Sequence, residues 1–194
     1  FMDICLALYE SVDIHDNYHF SDGIDAILCH KLMEDKYMSM KFIYDDGGRS
    51  KYFKADNVGD CVTRAIANAT GIDYLEIYNK LKDLCKSSKK YSSKATTLVR
   101  NGVPMPIIKK YLEKELGWEW HGINRGAEES LHLVTEELPS GNLIISISRH
   151  LTNVKDGIIY DTYNCSIKKY RDFDGNIITN EQRAVYGYWT APSK

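Results

Sequence analysis

Apolar side chains recur at helical spacing through the first two-thirds of the chain, then run together or alternate through the last third. Ile24, Ile27, Leu28, Leu32 and Met33 follow helical intervals, with Ser21 and Asp22 ahead of them as caps. "MDICLALYES" is a second helix-like stretch, and "VDIHDNYHF" between the two reads as a turn or short strand. Residues 1–40 therefore read as a small helical N-terminal extension, and residues 41–194 as the main domain. There "MKFIYDD" predicts a strand and "GGRS" a turn. "CVTRAIANATG" places Val62, Ala65, Ile66 and Ala69 on one helical face and stops at Gly71. A second helix carries Leu75, Ile77, Tyr78, Leu81 and Leu84 behind a cap at Asp73. The polar "CKSSKKYSSKATTLVRNG" reads as a mobile loop, and "PMPIIKKYLEKELG" as a third helix, with prolines at its start and Gly117 at its end.

After Gly117 the texture is that of strands. "WEWHGI" is one, and "NLIISISRH" is an apolar run of buried type. "HLTNVKDGIIYDT" holds Asp156-Gly157 between two strand-like runs, a hairpin signal. "IKKYRDF" and "RAVYGYWTAP" suggest a further pair. Helices first and an antiparallel sheet after them predict an α+β fold.

Composition narrows the function classes. Of 194 residues, 43% are hydrophobic and 27% charged, and the formal net charge is −2, which excludes a surface built as a whole for polyanions. Five cysteines at wide spacing, with no CxxC, argue against a disulfide framework or a four-cysteine zinc site and fit a reducing, cytoplasmic setting. No apolar run is long enough to span a bilayer, and no basic-then-apolar leader opens the chain. His15 and His19 lie four apart, with Cys29 and His30 further on, but the segment is not convincingly helical and lacks the carboxylate of HExxH. The expectation is no metal and no cofactor.

One constellation can carry chemistry. A thiol acts as a nucleophile only when ionised, and a helix N-terminus or a neighbouring imidazolium favours that form. Cys61 opens a predicted helix, so its own amide is among the unpaired donors available to a developing oxyanion. His150 stands between the apolar strand and the hairpin. If Asp156 and Gly157 form a two-residue turn, Lys155 faces Ile158, His150 faces Tyr163, and Asp161 lies diagonally across on the same face. Asp161 is then placed to orient the imidazole. A turn one residue longer, or a bulge, brings Asn164 opposite His150 instead, so Asn164 is the alternate third member.

The order Cys61, His150, Asp161 resembles that of papain-like cysteine peptidases, and is nearest to their compact bacterial branches with a Cys-His-Asp set. "GDCVTRAIANATG", "VRNGV", "LGWEW", "RHLTNVKDGIIYDTYNCS" and "VYGYW" also look similar to small proteins encoded by bacteriophages and prophages. That likeness spans Lys41 to Trp189 and does not include the first 40 residues. The resemblance implies helices packed on a C-terminal sheet and a cysteine hydrolase, a peptidase or amidase acting on a protein or peptide. Papain-like enzymes carry a glutamine some six residues before the cysteine that completes the oxyanion hole. Here Ala55 stands there, and Asn57 is the nearest polar replacement, with Asp60 a poorer one.

Two rival readings stand beside the hydrolase. The absent glutamine motivates a catalytically inactive papain-like protein that binds a host protein. The stretch from Lys80 to Arg100 holds Lys80, Lys82, Lys86, Lys89, Lys90, Lys94 and Arg100 against Asp83 alone, which motivates a nucleic-acid binder. A solvated face accounts for that stretch better, because Tyr91 is the only aromatic in its polar part.

Overall fold

The elements follow one another as β1 (Lys41–Tyr44), a 3₁₀ turn (Arg49–Lys51), α1 (Cys61–Thr70), α2 (Tyr74–Ser87), a second 3₁₀ turn (Ser92–Lys94), α3 (Ala95–Asn101) and α4 (Met105–Lys109). After α4 come β2 (Glu119–Gly122), β3 (Asn142–Ile147), β4 (His150–Lys155), β5 (Ile158–Asp161), β6 (Lys168–Arg171), β7 (Ile177–Asn180) and β8 (Val185–Thr190). The computed structural model describes residues 40–54, 59–123, 131–166, 168–171, 177–180 and 183–192. The chain divides into the units Phe1–Met38 and Ser39–Lys194, and all described residues belong to the second. The expected N-terminal helices, and with them His15, His19, Cys29 and His30, lie outside the described residues.

Six strands form one sheet in the order β1-β5-β4-β3-β8-β2, and β6 pairs with β7 separately. The fold is α+β, as the patterning predicts, with two corrections to the expected sheet. It is not wholly C-terminal or antiparallel, because β1 precedes the helices and pairs with β5 in parallel. Nor do "IKKYRDF" and "RAVYGYWTAP" pair with each other: β6 takes β7, and β8 inserts between β3 and β2. The apolar alternation of β8 explains this, because Val185, Gly187 and Trp189 are buried while Tyr186 and Tyr188 are half-buried, as suits a strand inside a sheet.

The β4–β5 hairpin has the register read from sequence. Lys155 pairs with Ile158, Val154 with Ile159 and Asn153 with Tyr160. Asp156 and Gly157 both have positive φ, 49° and 75°, the backbone of a two-residue hairpin turn that follows the sheet's twist.

Helices cover one face of the sheet. Ile66, Ile77, Leu81, Leu112 and Val99 pack there with Ile144, Leu151 and Trp189 from the strands. Leu143, Ile145, Ile147, Val154 and Ile159 form a second core on the opposite face with Met40, Leu133 and Cys165. Helix α1 is buried along nearly its whole length, and its alanines let its backbone approach the strands closely. Three asparagines fix it there: Asn68 Nδ2 donates to Tyr160 O at 3.1 Å, Asn142 Nδ2 to Ala69 O at 2.6 Å, and Asn153 Nδ2 to Asn142 Oδ1 at 2.8 Å.

The segment expected to be a mobile loop holds α3. Ala95 and Val99, one turn apart, are buried against α2 with Leu98 and Tyr91 packed beside them, and these few apolar contacts override the polar composition around them. The third predicted helix is regular only to Lys109, and then widens into a π-helix over Lys110–Glu115 before Gly117 ends it at φ 71°. Gly187 lies under the Trp120 ring: a Cβ there would meet Trp120 Cη2 and Cζ2 at 2.4 Å and His121 O at 2.7 Å. Gly187→Ala is therefore expected to destabilise the β8–β2 edge by about 1–3 kcal/mol, with a shift of tryptophan fluorescence, in denaturant unfolding.

Candidate active site

Three element ends meet at one end of the sheet: the start of α1, the start of β4 and the end of β5. They carry Cys61, His150 and Asp161. His150 Nε2 lies 2.6 Å from Asp161 Oδ2. That contact leaves Nδ1 clear of the carboxylate, and Cys61 and Cys165 both lie near enough to the imidazole to act on its charge. The Leu151 amide also favours the ionised form of the Cys61 sulfur. The structure thus brings together the three residues that hairpin register and helix position select. Tyr163 stands against the other side of the imidazole, with ring centroids 5.1 Å apart, as the register predicts.

Asn164, the alternate third member, serves the backbone instead. Its Nδ2 donates to Met40 O at 3.2 Å, and its Oδ1 accepts from the Ser166 amide and hydroxyl. The two-residue turn is the reason: with no extra residue, Asp161 takes the position facing the ring. Asn57 lies outside the described residues. Asp60, the poorer oxyanion candidate, has its carboxylate bound to Arg49 Nε at 2.6 Å and to Tyr74 OH at 2.5 Å.

The first bond of α1 runs from the Arg64 amide to Asp60 O, so the amides of Cys61, Val62 and Thr63 precede the helical ladder. Their partial positive charge falls at the sulfur. Burial works against ionising Cys61, but the hydrogen bond and charge of His150, the Leu151 amide and the Arg64 charge bring its thiol below the ordinary value. Burial likewise disfavours the imidazolium. Bonds to Asp161, Cys165 and Cys61, with the Asp161 charge, outweigh it and push His150 up to about 12. Asp161 is held below the usual carboxylate range, because His150, the Thr162 amide and Arg64 overcome its burial. These contacts favour a thiolate–imidazolium–carboxylate row.

The row is nearly closed. Cys61 is 9% exposed, and the side chains of His150 and Asp161 are 8% and 3% exposed. Tyr163 beside them is 47% exposed. A small recess lined by Arg49, Phe53, Asp60, Tyr74, Tyr78 and Arg100 lies behind Asp60 rather than over the sulfur.

Sequence reasoning missed two partners of this row. Arg64 is buried, with Nε 3.0 Å from Asp60 Oδ1 and Nη1 3.7 Å from Asp161 Oδ1. Its signal was present: a guanidinium one turn after Cys61 in a mostly apolar helix, four residues after an aspartate. Cys165 is fully buried beside His150 and Asp161, and the three offer donor atoms within 4.8 Å of one another. Nothing in the spacing marks it.

Asp161→Ala leaves a buried imidazolium and guanidinium without their carboxylate, and is expected to cost about 3–5 kcal/mol. The contribution of Asp161 is full above its unfolded value near 3.8 and is lost as pH falls through the lower folded value. That of His150 is full below 6.5 and declines as pH rises towards 12. Denaturant titrations should therefore show the largest gap between wild type and variant from pH 3.8 to 6.5, narrowing on both sides.

Among the described residues no helix is long and apolar enough to cross a membrane. Comparison of the chain with protein-family models, curated proteins and solved structures finds no match, so this cluster is interpreted from its own geometry.

Proposed function

We propose that the protein is a papain-like cysteine hydrolase that cleaves a peptide, isopeptide or side-chain amide bond. The observation that carries the reading is the imidazole bonded at 2.6 Å to Asp161 through Nε2, beside a cysteine at a helix start. The layout of a cysteine-bearing helix laid on strands that carry the histidine and the acid supports the same reading.

In this mechanism the Cys61 thiolate attacks the carbonyl carbon. A C–S bond forms, and the carbonyl π pair moves to oxygen, facing the Cys61 amide. The C–N bond breaks as the imidazolium protonates the departing nitrogen, leaving a thioester. Neutral His150 then takes a proton from water, the hydroxide displaces sulfur, and the thiolate–imidazolium pair is restored. Asp161 holds the ring and stabilises its charged form throughout without taking the proton.

The burial of Cys61 favours a second reading, a protein of the same fold that binds a host protein without catalysis. A host protein retained equally by wild type and Cys61→Ala, with no hydrolysis, would support it. The basic stretch adds little to a nucleic-acid reading, because Lys80 pairs with Glu115 at 2.6 Å and Lys86 with Asp83 at 3.3 Å.

Iodoacetamide labelling followed by peptide mapping tests the hydrolase. At pH 6 Cys61 should react at least about tenfold faster than Cys85 or Cys165, both fully buried, and His150→Ala should abolish the preference. Equal labelling of all three thiols would sink the proposal. The pH profile of Cys61 alkylation should rise on an acid limb set by its lowered thiol value. Hydrolysis should also fall on an alkaline limb as His150 loses its proton.

A further inference from the structure

We propose that Arg64 is a positioning residue of this site, bridging the carboxylate before the nucleophile to the carboxylate behind the histidine and lending its charge to the thiolate. This deepens the cysteine–histidine reading and rests on it. Arg64 lies one turn after Cys61 on α1 and is 7% exposed. Its Nε stands 3.0 Å from Asp60 Oδ1. Its Nη1 donates to Thr162 Oγ1 and stands 3.7 Å from Asp161 Oδ1. The Thr162 amide donates to that same Oδ1 at 2.7 Å, so Oδ2 remains for His150. Both oxygens of Asp161 are thereby assigned, which fixes the carboxylate plane and with it the imidazole. The guanidinium reaches both carboxylates as an ion pair and is held by its hydrogen bond to Thr162, and it stays charged at every working pH.

Charge balance gives the bridge its chemical consequence. The groups around the sulfur and imidazole are Arg64 of α1 and Asp161 of β5, with Asp60, just before α1, joined to Arg64. Arg49 reaches them from the 3₁₀ turn and Tyr74 from α2. The Cys165 thiol lies beside the ring, and Arg183 is occupied by the carbonyls of Ser148 and Cys165. Within the linked cluster Arg49, Arg64 and His150 carry three positive charges. Asp60, Asp161 and the Cys61 thiolate carry three negative ones. The cluster is neutral only with sulfur ionised. Removing Arg64 leaves an excess negative charge in a closed, low-dielectric site, and the thiolate is the member that can shed it by taking a proton.

The test is the pH midpoint of Cys61 alkylation by iodoacetamide, which needs no substrate. In wild type the midpoint lies below the ordinary thiol value. Arg64→Gln should raise it by about one unit, a tenfold slower reaction at a pH below both midpoints. Arg64→Lys, which keeps the charge but not the fork, should raise it by less than half as much. A purely structural role would lower the melting temperature of both variants and leave the midpoint of the folded protein in place. If Arg64→Gln fails to fold, Thr162→Val removes the Nη1 anchor and should shift the midpoint in the same direction. An unchanged midpoint in folded Arg64→Gln, or in Thr162→Val where that is the variant tested, overturns the role. An ordinary midpoint in wild type overturns the cysteine–histidine reading itself, so the two failures are distinct.

Discussion

The contact between His150 and Asp161 at the end of the sheet is the constraint from which the site is built. It is a product of hairpin arithmetic. The Asp156-Gly157 turn spends two residues, so His150 and Asp161 come to opposite sides of the ladder, within hydrogen-bond reach. A one-residue slip would hand the place to another side chain. Helix α1 is then brought to the pair by a different mechanism. Asn68, Asn142 and Asn153 tie its C-terminal half across the strands, and its N-terminus falls where β4 begins.

A buried row of ionised groups survives only if each member is paired. Here the pairing extends beyond the three residues at the sheet end. Arg49 and Tyr74 hold Asp60, and Arg64 links Asp60 to Asp161 and Thr162. The loop before α1, the helix and the hairpin therefore share one electrostatic unit. Such a unit favours a single arrangement of its parts, because any displaced member leaves an uncompensated charge in a closed space.

The legible features were those set by local rules. Gly71 stops α1 in a left-handed conformation, Asp73 caps α2 through the Leu75 amide, and the hairpin register follows from its turn. From these, Cys61, His150 and Asp161 could be placed before any coordinates were known. The features that escaped depend on long-range partners. The parallel docking of β1 cannot be read from "KFIY", because a short strand carries no label for its neighbour. Helix α3 hides in a polar stretch because only Ala95 and Val99 are buried in it, with Leu98 half-buried beside them. Cys165 reaches His150 through a loop with no periodicity.

The parallel strand β1 bears on how the site comes into being. Tyr44 is in register with Asp161, and the Asp45 amide donates to Asp161 O at 2.8 Å, so the acid's main chain is clamped by a partner more than a hundred residues upstream. Closing so long a loop is entropically slow, whereas the β4–β5 hairpin closes over a few residues. This topology makes the clamp on Asp161 a long-range contact, while the hairpin that carries His150 and Asp161 is local, so the clamp is expected to close after the hairpin.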